Sequence, residues 1–362
     1  MPRVLIAGGG TGGHLFPGIA VAQELRRRVG AEVSFVGSDY GIERTAVPAA
    51  GFEVDLLPVR GLRGRGPVEV ARGVGRVAKS LVGARRVLRA RRPDLVVGVG
   101  GYASFPAVAA AALARIPVVL LEQNAEPGLA TKVLAPFATR VCVTFPATAR
   151  GLGARAVVTG NPVRDLAACG ESRGDDRDPA GRFRVLVFGG SAGAHRLNSV
   201  VPEALARVGR PLAVEHQTGK TDREEVEAAY RRLGQDAEVR AFIDDMARAY
   251  ARADLVVCRA GATTIAELTS LGKAAILVPF PFAAGDHQRL NGQSLVDEGA
   301  AWMVLDRELE PEALATLVRR AIDEPAATAE LGRRARALGH PDAAARVVDE
   351  CLRLLPGARS AS

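Results

Sequence analysis

The stretch GGGTGGH, Gly8 to His14, puts five glycines within six residues directly after the apolar run Val4–Ala7 and ends on a histidine. Glycines at that density let backbone N–H groups approach a phosphate closely. Thr11 adds a hydroxyl, and the His14 imidazole can take a proton near neutral pH. Proton transfer beside a bound phosphate is the chemistry these residue types allow. The spacing Gly8, Gly10, Gly13 also satisfies the dinucleotide fingerprint G-x-G-x-x-G. That fingerprint expects an acid about 20 residues on, at the end of the second strand, to hold a ribose. Here VSFVG ends in Gly37 and Asp39 comes only after it. An NAD(P)-binding oxidoreductase therefore stands as an alternative without its ribose acid.

A second phosphate-type arrangement is CRAGATTIAELTSLG. The strand Leu255–Cys258 gives way to a glycine turn and a helix starting near Ala262, whose unpaired N–H groups and positive dipole end suit a diphosphate. Thr263 and Thr264 add hydroxyl donors in the first turn. Glu267, about one turn in, is a carboxylate able to accept hydrogen bonds from a pair of neighbouring hydroxyls, or else a solvated glutamate favoured by the dipole. Asn124 in LEQN and Gln288 in GDHQRLN carry amides that donate and accept together, as hydroxyl-rich ligands require, although isolated loop amides also serve structure. FIDDM reads, at its plainest, as a turn with Asp244 capping a helix. No metal cluster competes: the five histidines are dispersed, and Asp176-Arg177-Asp178 spells D-x-D in a polar stretch with no strand before it.

The elements that position these residues are short apolar runs alternating with helical patterns, which predicts parallel α/β units. Strands are expected at Val4–Ala7, Val33–Val36, Leu95–Val99, Val118–Leu121, Val141–Thr144, Val185–Phe188, Leu255–Cys258 and Ala275–Val278. They fall into two sets, separated by the aperiodic, Gly- and Asp-rich segment ACGESRGDDRDPAGR, which reads as a linker. The expected organisation is a first Rossmann-like domain over 1–165, a linker over 166–182, a second over 183–340, and a C-terminal segment over 341–362. RVLVFGGSAGAHRLNSVVPEALA repeats the strand, glycine turn and helix order of the N-terminus, and VVGVGGYASFP supplies a third such turn. Ligands of open α/β sheets bind outside the carboxyl ends of the strands, so two similar halves predict a ligand held in the cleft between them.

With 362 residues, 48% of them hydrophobic and 24% charged, the chain has a globular composition and a length that calls for two domains. The apolar start is interrupted by glycines at once, so no signal peptide is expected. The apolar run Phe105–Ala114 is far short of the ~20 residues of a membrane helix. Cys142, Cys169, Cys258 and Cys351 show no paired spacing, which points to a reducing, cytosolic compartment. The net charge of +8 is local: Arg60 to Arg92 holds eleven Arg or Lys against Glu69, and the rest of the chain has 37 basic and 39 acidic residues. Within that segment Val74, Val77, Leu81, Ala84 and Leu88 recur at three and four, with Arg72, Arg76, Lys79, Arg86 and Arg89 on another face. A basic amphipathic helix suited to anionic lipid is expected, an ordinary packed helix being the alternative. Nucleic acid is not the expected partner.

Taken together, GGGTGGHLFPG, GVGGYASFP, LEQNAEPG, GNPVR, GGSAGA, FIDDM, CRAGATTIAE and PFPFAAGDHQ closely resemble the MurG glycosyltransferases, glycosyltransferase family 28. The motifs occur in family order from Gly8 to about His340, with departures at Leu121, Ala192 and Ala260. The resemblance implies the GT-B architecture: two facing Rossmann-like domains with parallel sheets and a last helix, about Pro341 to Leu355, crossing back to the first domain. It implies inverting, metal-independent transfer of N-acetylglucosamine from UDP-N-acetylglucosamine (UDP-GlcNAc) to lipid I at the cytoplasmic membrane face, with no cofactor. Another UDP-sugar enzyme, a glycolipid transferase or epimerase, is the nearer alternative. By the same resemblance the donor is met by Thr11, Gly12, Gly13, Asn124, Arg164, Ser191 and the Ile243 backbone, by the helix start Ala262, Thr263, Thr264, Ile265 and Ala266, by Glu267 at the ribose, and by Gln288. The acceptor side gathers Gly10, Thr11, Gly12, Gly13, His14 and Tyr102. His14 is the candidate general base and Glu122 the second candidate.

Overall fold

The structure, a computed structural model, describes residues 1–59, 67–163, 178, 180–190 and 193–356, without the side chains of 67–78 and 284. Arg164, Ser191 and Ala192, most of the expected linker, and the side chains of Arg72 and Arg76 lie outside the described residues.

The chain divides into two compact units, Met1–Arg164 with His340–Ser362, and Asp165–Gly339. In the first unit the strands are β1 (Arg3–Gly8), β2 (Glu32–Ser38), β3 (Glu53–Leu57), β4 (Leu95–Gly100), β5 (Val118–Glu122), β6 (Arg140–Val143) and β7 (Ala156–Val158). They form one sheet in the order β3-β2-β1-β4-β5-β6-β7, every pair parallel. Parallel sheets are covered on both faces, which is why β1, β4 and β5 are nearly continuous apolar runs. One face packs against Leu15, Ile19, Val21, Ala22 and Leu25 of the helix Gly12–Val29, joined by Val347, Val348 and Cys351 of the C-terminal helix Ala343–Leu352. The other packs against Ala107, Val108, Ala110 and Ala111 of the helix Ser104–Leu113 and against Ala84 and Leu88 of the helix Pro67–Arg91.

In the second unit β8 (Phe183–Phe188), β9 (Leu212–Gln217), β10 (Ala237–Arg240), β11 (Leu255–Cys258), β12 (Ala275–Leu277) and β13 (Trp302–Met303) form a parallel sheet in the order β10-β9-β8-β11-β12-β13. Each sheet thus starts in the Rossmann order 3-2-1-4-5-6, and the first adds a seventh strand. In that order the direction of winding reverses beside the first strand, between β1 and β4 in one unit and β8 and β11 in the other. A crevice opens there at the carboxyl ends of the strands. All four glycine turns noted in the sequence follow one of those four strands. Five strands, β3, β7, β9, β10 and β13, were not expected from the sequence.

Candidate active site

In the first unit the loop after β1 leads straight into the helix Gly12–Val29, with Thr11 at its N-cap in extended conformation and its hydroxyl not engaged in capping. The loop rests on Glu43. This side chain is fully buried and accepts hydrogen bonds from the Gly10 N–H at 2.9 Å, the Ser38 N–H at 2.6 Å and the Ser38 hydroxyl at 2.7 Å. Burial opposes its ionisation, but the bonds from Ser38 and Gly10 outweigh that and hold the carboxyl below its ordinary range. Gly9, at φ 145°, has no room for a side chain, because a Cβ would lie 2.6 Å from the Glu43 carboxyl carbon. The Gly10 N–H is therefore committed to the Glu43 carboxylate.

His14 is the third residue of that helix, and its Nδ1 lies 3.0 Å from the Gln123 Oε1. Gln123 follows the last residue of β5, is buried, and donates from Nε2 to the Val99 carbonyl at 2.9 Å. Glu122 is also buried. Its Oε1 accepts from the Asn124 N–H at 3.1 Å and the Asn124 amide at 3.3 Å, and its Oε2 from the Gly128 N–H at 3.0 Å. Glu122 thus ties down the loop that carries Asn124. Thr148 closes the same loop by donating to the Ala125 carbonyl at 2.7 Å. Tyr102 is exposed in the turn after β4.

In the second unit the helix Ala262–Leu271 starts after Gly261, an extended N-cap, and is closed by Gly272 in the left-handed region at φ 65°. Thr263 and Thr264 are half-buried in its first turn. Glu267 is 3% exposed and accepts from the Tyr250 hydroxyl at 2.9 Å. A solvated glutamate is thereby ruled out. Gln288 accepts the Phe280 N–H at Oε1, 2.9 Å, so its NH2 group is the end that donates onward. The Ile243 N–H donates to Gln217 Oε1 at 2.8 Å, while Gln217 Nε2 donates to the Gly190 carbonyl at 3.1 Å. One buried amide therefore joins the FIDDM segment to the glycine turn after β8. The helix following FIDDM, Met246–Arg252, is capped by Asp245, which accepts the Arg248 N–H at 2.9 Å. The expectation that Asp244 caps it is off by one residue.

Sequence reasoning did not single out Glu43, Gln123, Gln217 or Arg259. The buried Arg259 donates from Nη1 to the Val278 and Pro279 carbonyls, both at 3.1 Å, and pairs with Asp306 at 2.5 Å. Asp178 of the D-x-D stretch is engaged by Arg182, which holds its carboxyl well below the usual range. Among the described residues no three His, Cys, Asp or Glu side chains gather as metal ligands would.

The basic segment is a helix from Pro67 to Arg91. Over its described part Lys79, Arg86 and Arg89 are exposed, whereas Ala84 and Leu88 lie in the core of the unit. Its apolar stripe packs on protein there, so its outer face is chiefly the charged one.

Two family models match in tandem: the glycosyltransferase family 28 N-terminal domain over residues 4–143 and the glycosyltransferase family 28 C-terminal domain over 184–347. The chain belongs to glycosyltransferase family 28. Within that family it is 49% identical over 358 residues, 98% of this chain and 93% of the relative, to the UDP-N-acetylglucosamine–N-acetylmuramyl-(pentapeptide) pyrophosphoryl-undecaprenol N-acetylglucosamine transferase of Anaeromyxobacter sp. (strain Fw109-5). It is 45% identical to the enzyme of the same name from Pelobacter propionicus, covering 97% of this chain and 99% of that one. The crystal structure of Acinetobacter baumannii MurG superposes with a TM-score of 0.81 at 33% identity, over 97% of this chain and 99% of that chain.

Proposed function

We infer that the protein transfers N-acetylglucosamine from UDP-GlcNAc to the C4 hydroxyl of the N-acetylmuramic acid in lipid I, giving lipid II. The observation that carries this reading is the 49% identity spread over 98% of the chain to an enzyme named for that reaction. A family 28 fold alone would leave a different sugar-nucleotide chemistry open. Identity at nearly half of the aligned positions, over 98% of the chain, favours the named reaction over such alternatives.

In the second unit the start of the helix Ala262–Leu271 offers its N–H groups and the hydroxyls of Thr263 and Thr264 to the donor diphosphate. Glu267 takes the ribose hydroxyls, with Tyr250 holding one carboxylate oxygen in place. The Ile243 carbonyl meets the uracil edge, since its N–H is committed to Gln217. The Gln288 NH2 group donates to a sugar hydroxyl, and Arg164 and Ser191 complete the donor contacts. The first unit takes the acceptor. There the helix start at Gly12 and Gly13, with Thr11, meets the lipid pyrophosphate and His14 the proton of the attacking C4 hydroxyl, while Asn124 meets a hydroxyl of the donor sugar. One direct displacement at the anomeric carbon inverts its configuration: the C4 oxygen bonds to C1 as the bond from C1 to the UDP oxygen breaks. The proton goes to His14 and the negative charge leaves on UDP. His14 is preferred to Glu122 because both Glu122 oxygens are occupied in holding a loop.

The acceptor is membrane-anchored, and the protein meets it as a peripheral protein on the cytoplasmic face. No helix among the described residues is long and apolar enough to cross a membrane. The cationic face of the helix Pro67–Arg91 is instead suited to an anionic lipid surface. Apolar side chains are also exposed on this helix at Val82, on the helix packed against it at Leu113, and on the helix Leu129–Leu134 that touches the latter at Leu129 and Val133.

The deciding assay uses labelled UDP-GlcNAc and a soluble lipid I analogue, with EDTA present. The expected result is a disaccharide product at an undiminished rate. Strict dependence on manganese would overturn the metal-independent displacement. Epimerisation of UDP-GlcNAc without any acceptor would replace the transferase reading altogether, and stabilisation by NADH in place of UDP would favour the oxidoreductase.

A further inference from the structure

The position of a proton on His14 follows from the groups around Gln123. The Val99 carbonyl can only accept, so the Gln123 amide must present its NH2 end there, at 2.9 Å. Its Oε1 then faces His14 Nδ1 at 3.0 Å. That oxygen cannot donate, and two lone pairs at this distance repel, so the hydrogen of this contact belongs to Nδ1. We infer that Gln123 is a positioning residue that holds neutral His14 as its Nδ1–H tautomer and so puts the basic lone pair on Nε2.

Three features make this more than a chance contact. Gln123 is 2% exposed, so water does not compete for either end of its amide. Its two partners sit on different strands and elements: Val99 is the penultimate residue of β4, and His14 lies in the helix that follows β1. Gly100, between them, has φ 96°, and a Cβ on it would lie 2.7 Å from His14 Nδ1. The last residue of β4 therefore has to be glycine for the imidazole to reach the amide. A carboxylate at position 123 would still accept from Nδ1–H, but it would leave the Val99 carbonyl without its donor, and it would favour the charged imidazolium and hold the proton. A neutral amide orients the ring while leaving it able to release that proton. This suits a base that must be neutral at the start of each turnover.

The inference concerns the same site as the base assignment and rests on that reading for its kinetic consequence, but the tautomer itself can be seen without activity. Long-range 1H–15N correlation spectra of 15N-histidine-labelled protein distinguish the two nitrogens, with the His14 signals identified by their loss in His14→Ala. The wild-type protein at pH 8 should show His14 protonated on Nδ1; protonation on Nε2 would overturn the inference outright. Gln123→Met removes the acceptor and should shift His14 toward the Nε2–H form, with kcat reduced about tenfold or more, the scale of a misdirected general base. Gln123→Glu keeps an acceptor for Nδ1–H though it loses the donor to Val99; it should keep the Nδ1–H form and recover part of the turnover lost in Gln123→Met, with the acid limb of the kcat/KM profile moved to higher pH. A merely structural glutamine would give no such movement, and its absence would count against the inference. A tautomer that changes in Gln123→Met with kcat unaltered would support the positioning role and remove His14 as the base.

Discussion

At the level of single residues the two halves of the reaction separate cleanly by variant. His14→Ala should lower kcat by ~10²-fold or more, the usual contribution of a general base, while UDP affinity, read by calorimetry, stays near wild type. Glu267→Ala should do the reverse. It removes a buried, charged acceptor, and hydrogen bonds to charged groups contribute about 1.5–3 kcal/mol. UDP binding should therefore weaken by roughly ten- to a hundredfold, with a smaller effect on kcat at saturation. Equal losses of UDP affinity in the two variants would contradict the assignment of His14 to the acceptor. Both residues stand out in the sequence because each lies inside a dense local motif. Gln123 and Gln217 were not, although each sits at the carboxyl end of a strand. Their partners His14 and Ile243 lie 109 and 26 residues away in sequence, and no local pattern encodes such pairings. Glu43 was missed for the same reason, its loop partner Gly10 being 33 residues distant.

At the level of elements, the strands that the sequence revealed lie inside the two sheets or near their middles, where burial on both faces demands unbroken apolar runs. The unexpected strands are of two kinds. EVDLL and AEVR are edge strands, where charge is tolerated, and LAVEHQ, though paired on both sides, breaks its apolar run with Glu215, His216 and Gln217; β7 and β13 are three and two residues long. In β9 the exception is His216, which is fully buried. Its Nδ1 accepts from the Tyr230 hydroxyl at 3.0 Å and its Nε2 donates to Asn198 Oδ1 at 3.2 Å. Burial pushes its pKa down from 6.5 to about 3. Between those values the unfolded chain binds a proton that the folded one refuses, so stability falls as pH drops below about 6.5, by about 1.4 kcal/mol per unit, and the loss levels off near pH 3. The protein's one tryptophan, Trp302, lies in this unit. Its fluorescence during urea unfolding at pH 7 and pH 5 should show the drop, and His216→Gln should flatten it. On the basic helix, reversing Arg72, Arg76 and Lys79 to Glu should weaken binding to anionic vesicles by about 1 kcal/mol per charge and leave turnover of a short-chain acceptor largely intact. Unchanged vesicle binding would make this an ordinary packed helix.

At the level of the whole molecule the order of the chain is not the order of its units. The helix Ala343–Leu352 belongs to the first unit, where Val347, Val348 and Cys351 are fully buried against the helix Gly12–Val29 and Arg28 pairs with Asp349 at 2.7 Å. Val347→Asp would place a charge among apolar side chains and should destabilise the first unit by roughly 3 kcal/mol or more. Its melting, followed by circular dichroism, should move while the Trp302 signal does not. The same connectivity has a consequence during synthesis on the ribosome. All seven strands of the first sheet have been made once residue 158 is added, yet the helix that covers part of one face is made only after the whole second unit. At about 5–20 residues per second, the nascent sheet waits roughly 10–40 s with apolar side chains uncovered. A message truncated anywhere in the second half yields a polypeptide that still shows that sticky surface, so completion of translation is itself the step that makes the product safe to release.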